Sequence, residues 1–207
     1  MNGVHVYVDG YNSYCGINQR GWLKYGWCNF SKLAKRLAER AFGSSLPVDE
    51  VKYYTAPVRL GQGTPGEIER QKMWLDALRA EAPEVKIVEG RFQKIGDDPR
   101  KEKETDVNIA FDMGRDIARA GKVILVSADS DFVSAVSEVR EAGRPAFVFF
   151  PPNQSGYKSP LDCPSRVISK EDLADCRLQD TILRPGKPPI LWSAYQNLRR
   201  QDGLPTD

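Results

Sequence analysis

The chain contains one histidine, four cysteines and no long apolar run, and each shortage removes a class of chemistry. His5 lies within Val4-His5-Val6-Tyr7-Val8-Asp9, a run that reads as a strand, where alternation places it under a packed helix. Ser-His-Asp triads, Cys-His dyads and H-E-x-x-H zinc sites therefore fall away, and any hydrolytic chemistry must run on carboxylates and metal. Cys15, Cys28, Cys163 and Cys176 include no C-x-x-C pair and read as reduced thiols rather than a disulfide framework or zinc site. No hydrophobic run approaches the ~20 residues that cross a bilayer, so no membrane partner is expected. Met1-Asn2-Gly3 leads almost at once into the first strand, leaving no room for a signal peptide, and a cytoplasmic location is expected. The net charge of +2 gives no global basic field, so a nucleic-acid partner would have to be held by a local patch.

What is present is an alternation of strand-like and helix-like segments. Strands are expected at Val4 to Asp9, Val51 to Ala56, Val85 to Glu89, Lys122 to Val126 and Pro145 to Phe150. Helices are expected at Phe30 to Ala41, about Gly66 to Ala82, from Thr105-Asp106 onward and at Ser130 to Ala142. In the third of these, Val107, Ala110, Met113 and Ile117 are expected to face inward. The pattern predicts an α/β fold, a three-layer α/β/α sandwich around a mainly parallel sheet. One domain over residues 1–182 is expected, followed by a proline-rich, partly basic tail over 183–207.

Two strands end in acids. Asp9 closes the first, and Val126-Ser127-Ala128-Asp129 closes the fourth. In an open parallel sheet the ligand crevice lies beyond the strand carboxyl ends, so both aspartates are expected in one pocket. Such a pocket repels itself unless a cation occupies it, and hard divalent ions suit oxygen ligands. Asp106 is the third candidate; in a first helical turn it either complements the helix dipole or joins the site. Asp131 either caps the next helix or shares the ion, and Asn12 is either a turn residue or a support for the site. Asp112, six residues past Asp106, is expected to be exposed or to act behind the ligands.

These residues carry a resemblance. Val6-Tyr7-Val8-Asp9-Gly10-Tyr11-Asn12 resembles the opening of NYN domains, a branch of the PIN-like nuclease superfamily. Lys103-Glu104-Thr105-Asp106-Val107 is similar to the family's K-G-x-D-V segment, and Val126 to Phe132 to its (V/I)SGDSDF signature. The pattern is nearest to the LabA-like bacterial group and runs from Val4 to Ile182. Two residues depart from it: Ala128 and Glu104 stand where the family has glycine.

The resemblance implies endonucleolytic hydrolysis of RNA by Mg²⁺ or Mn²⁺ held on Asp9, Asp106 and Asp129, with Asp131 adjacent and Asn12 supporting. Single-stranded RNA is the expected partner, contacted by Arg59, Arg70, Arg91, Lys94, Lys101 and Lys103. Tyr11, Tyr14, Trp22 and Tyr25 are available for base stacking or core packing. The rival reading is a catalytically weak RNA-binding or regulatory module of the same fold. A small-phosphoester phosphatase ranks below both, because Asp9-Gly10-Tyr11 lacks the second acid of a D-x-D nucleophile motif.

Overall fold

The computed structural model describes residues 3–43, 46–58, 63–92, 102–153 and 163–204. Strand β1 (Val4–Asp9) is buried along its whole length because both sheet faces are covered. Val4, Val6 and Val8 join one apolar cluster, while Tyr7 joins a second on the opposite face. That two-residue alternation sends His5, Tyr7 and Asp9 to the same side.

The chain continues through α1 (Gly10–Gln19), α2 (Phe30–Phe42), β2 (Val48–Thr55), α3 (Pro65–Glu81) and β3 (Val85–Glu89). A short antiparallel ribbon, β4 (Arg91–Phe92) with β5 (Glu102–Lys103), precedes α4 (Thr105–Asp116). Next come β6 (Lys122–Val126), a 3-10 turn at Ser130–Phe132, α5 (Val133–Glu141), β7 (Ala146–Phe150), β8 (Ser165–Val167) and α6 (Lys170–Ala174). The main sheet has the order β3-β2-β1-β6-β7-β8, and every neighbouring pair in it is parallel. This is a three-layer α/β architecture.

Local signals explain the helix starts. Asn29 caps α2 by accepting from the N–H groups of Ser31 and Lys32 at 3.0 and 3.1 Å. Thr64 and Glu67 form a reciprocal capping box at α3, with Pro65 in the first turn. Residues 10–19, which carry no clear helical period, nonetheless form α1, because Asp9 caps it: its Oδ1 accepts from the Asn12 N–H at 3.0 Å.

Helix α4 buries Met113 and packs Ile117 against the second apolar cluster as expected, but turns Val107 outward. Val107 is 69% exposed and the buried positions are Thr105, Ile109, Asp112, Met113 and Asp116. Asp112 is therefore an inward residue, not an exposed one. Residues 181–204 are also structured. They form an antiparallel hairpin, β9 (Thr181–Arg184) and β10 (Lys187–Leu191), and then α7 (Trp192–Gln201). Ile182, Ile190 and Tyr195 enter the first apolar cluster, and the Arg70 guanidinium pairs with Asp202, fastening the end of the chain to α3. The boundary expected at 182 thus falls inside β9.

Candidate active site

The strand order reverses beside β1: the chain steps outward through β2 and β3, then returns to place β6 on the other side of β1. The crevice beyond the carboxyl ends of β1 and β6 is the topological position for a ligand. Asp9 stands at its floor, 5% exposed. Besides the Asn12 N–H, its carboxylate accepts the Ser127 hydroxyl at 2.9 Å. Ser127 in turn accepts the Asp129 N–H at 3.1 Å. The side-chain oxygen of Asn12 accepts the Ala128 N–H, also at 3.1 Å. These bonds, Asn12's among them, clamp the end of β1 to the loop after β6. Ser127 was not singled out in the sequence, although it lies inside the Val126 to Phe132 signature.

Asp106 lies in the first turn of α4, the helix packed over the His5–Tyr7–Asp9 face. Burial pushes its carboxyl above the usual carboxylate range, and the charges of Asp129 and Asp131 push it further. Asp129 and Asp131 are thus close enough to Asp106 for their charges to act on it. Asp129 caps the turn after β6 by accepting the Asp131 N–H at 2.9 Å. Among the described residues, no lysine or arginine forms an ion pair with Asp106, Asp129 or Asp131. Asp9, Asp106, Asp129 and Asp131 have the donor chemistry of a hard divalent cation site, but no three of them bring ligand oxygens within 4.8 Å of one another.

The profile of the NYN domain family matches residues 3–167 of this chain. The chain belongs to the NYN family. The NYN family falls within the PIN-like nuclease superfamily, whose members generally use divalent metals. The chain is also similar to the crystal structure of a protein of unknown function from Vibrio parahaemolyticus, with a TM-score of 0.59 and 19% identity. That similarity covers 82% of this chain and 94% of the other, and it supports the fold. No curated protein matches the chain.

In this NYN domain the two departures from the family pattern have different structural meanings. Glu104 precedes α4 in the left-handed conformation, φ 77° and ψ −21°, which glycine adopts without steric penalty. Ala128 does not have a positive φ, so its methyl group brings no such penalty. Gly10 meets a separate demand. A Cβ there would lie 2.4 Å from the Tyr54 carbonyl oxygen and 2.5 Å from the Tyr53 ring.

The expected RNA contacts divide. Arg70 is 4% exposed and engaged with Asp202, so it is a buried positioning residue and not an exposed phosphate contact. Arg59, Lys94 and Lys101 lie outside the described residues, and the side chains of Arg91 and Lys103 do too. Tyr11 and Tyr14 are exposed near Asp9, whereas Tyr25 is buried in the core.

A second acidic cluster, not anticipated from sequence, lies under the far end of α4. His5, Glu50 and Asp116 offer ligand atoms all within 4.8 Å of one another, a spacing that the strand-end aspartates do not reach. A lysine already occupies this cluster. The Lys52 ammonium lies 2.5 Å from Asp116, 3.1 Å from Asp112 and 3.9 Å from Glu50. Tyr7 and Tyr54 donate their hydroxyls to Asp116 and Asp112 at 3.1 and 2.8 Å. Burial pushes the Asp116 carboxyl up, but hydrogen bonds from Lys52 and Arg119 outweigh it and hold the group well below the usual range. Burial also lowers the His5 imidazole, against the raising influence of Glu50. A fixed cation thus neutralises this cluster from within, and we assign it a structural role.

Proposed function

We propose that this NYN domain is a divalent-metal-dependent endoribonuclease acting on single-stranded RNA at the ends of β1 and β6. The observation that carries the reading is the grouping of Asp106 with Asp129 and Asp131, near the end of β1 where strand order reverses. Mg²⁺ or Mn²⁺, when bound, would supply an activated water and neutralise charge developing on the phosphate. The chain's own residues have separable tasks. Asp9 and Asp129 are the primary metal-binding acids, with Asp131 adjoining them. Asp106 binds the ion or orients the attacking water. Ser127 and Asn12 keep Asp9 and the loop after β6 in register.

The test is cleavage of an end-labelled single-stranded RNA with Mn²⁺ or Mg²⁺. The expected result is cleavage that stops with chelator and falls at least about 100-fold in Asp9→Asn and Asp129→Asn. Full activity of a folded Asp9→Asn protein refutes the assignment. The wider spacing of the strand-end acids favours a second reading, an RNA-binding module with little turnover. Salt-sensitive RNA binding without metal-dependent cleavage would select it.

A further inference from the structure

Helix α4 leaves an apolar row uncovered. Its inner side packs on β1, β2 and α5, while Val107 and Phe111 stand 69% and 65% exposed on its outer side. At about 100° per residue, Val107, Phe111, Gly114 and Ala118 fall within about 60° of one another round the axis. All four are exposed, so the row runs along the helix and into the turn at 117–119. The Arg115 guanidinium lies 5.7 Å from the Phe111 ring and shields only one side of it. Single exposed apolar residues are ordinary, but a contiguous row marks a contact surface.

The row is self-complementary when it is read in the opposite direction. A two-fold axis midway between positions 111 and 114 sets Phe111 against Gly114 of the partner subunit. The same axis sets Val107 against Ala118 of the partner subunit, so each bulky side chain meets a small one. Gly114 has no positive φ, and a Cβ there would meet nothing within 4 Å. Glycine weakens a helix interior relative to alanine, and the hollow it leaves beside Phe111 opens outward.

The charges select the same orientation. Glu104 is exposed at one end of the helix, and Arg115 and Arg119 are half-exposed at the other. Antiparallel packing brings Glu104 close to level with Arg119 of the partner subunit and sets the helix dipoles in opposition. Parallel packing would set like charge against like. Asp106 lies on the other flank of the row, so the pairing does not draw on it.

We infer that the outer face of α4 is the contact through which two copies of this chain form an antiparallel, two-fold dimer. The inference does not depend on the nuclease reading. One helix face is small beside the about 800 Å² that each partner buries in a standard interface, so a dissociation constant of about 1–100 µM is expected.

The experiment is sedimentation velocity of the full chain from about 1 to 500 µM. The mass is expected to rise with concentration from 23.2 kDa to twice that value. Phe111→Glu and Gly114→Leu are each expected to raise the dissociation constant at least about tenfold. Gly114→Leu points its side chain into open space and keeps the fold, so it remains decisive should Phe111→Glu fail to fold. Register is read by mixing Val107→Cys with Ala118→Cys: the mixture is expected to give a disulfide-linked dimer on oxidation, and neither variant alone. A chain that stays monomeric throughout, a dimer that both substitutions leave intact, or self-linking of Val107→Cys alone overturns the inference. A monomeric wild type whose RNA binding is lost in Phe111→Glu also overturns it, and gives the face to the nucleic acid.

Discussion

Replacing Lys52 with methionine tests whether the cluster under the foot of α4 is an ion-pair network built around a lysine. Lys52 is 3% exposed and its ammonium bridges Asp116, itself 0% exposed, to Asp112 and Glu50. Methionine keeps most of the aliphatic stem and deletes the charge. Among the described residues the other lysine and arginine partners of these acids, Lys86, Arg115 and Arg119, have side chains at least half exposed and are screened by water. Removing one partner of a buried ion pair costs about 3–5 kcal/mol, because the other charge is left uncompensated. For a domain of this size that loss lowers Tm by about 6–20 °C. The pH dependence follows from Asp116, whose folded-state carboxyl lies below its unfolded value of 3.8. Its contribution is complete above that value and is lost as pH falls through the folded value. With Lys52 gone the folded value rises, so acid unfolding begins at higher pH. Thermal melts of wild type, Lys52→Met, Asp116→Asn and the double variant between pH 3 and pH 8 supply the measurement. A single-variant loss under about 1 kcal/mol, or no coupling in the cycle, refutes the argument.

Ser127→Ala removes the hydroxyl that orients Asp9 and is expected to lower metal affinity and RNA cleavage about 10–100-fold, measured by Mn²⁺ titration and initial rates. Glu104→Gly relieves a left-handed residue and is expected to raise stability by about 1 kcal/mol in denaturant unfolding; a loss would show that Glu104 makes compensating contacts. Asp106→Asn is expected to stabilise the metal-free protein at neutral pH. Because the folded Asp106 carboxyl lies above its unfolded value, wild type regains that stability as pH falls through the folded value, and the advantage of the variant disappears there.

Strand β6 is legible because valine, isoleucine and leucine fill both faces of a doubly covered strand, and β1 because Val4, Val6 and Val8 alternate with His5, Tyr7 and Asp9; Asp9 closes β1, and Asp129 follows β6 by three residues. Helix α1 is not legible, because Gly10, Gly16 and Tyr11 dilute any helical period and its cap is the same Asp9 read as a ligand. The inward face of α4 is misjudged for a related reason. Asp112 and Asp116 can be buried only because Lys52, more than fifty residues earlier, meets them, and no local pattern announces such a partner. Pro188 and Pro189 make residues 187–191 read as a tail, yet a two-stranded hairpin has outward-facing backbone positions that tolerate a missing N–H. Arg70 looks like a surface cation until Asp202 is folded back upon it.

The row His5, Tyr7, Asp9 along one side of a single strand has a mechanical meaning. Helix α4 lies over that row like a strut bolted at one end: Asp112 and Asp116 fix its base through Lys52, Tyr7 and Tyr54. Asp106 is carried at the other end, about 15 Å along the rod from Asp116. A change at the base is carried along the rod to Asp106, so the geometry at the crevice is tied to bonds a whole helix away.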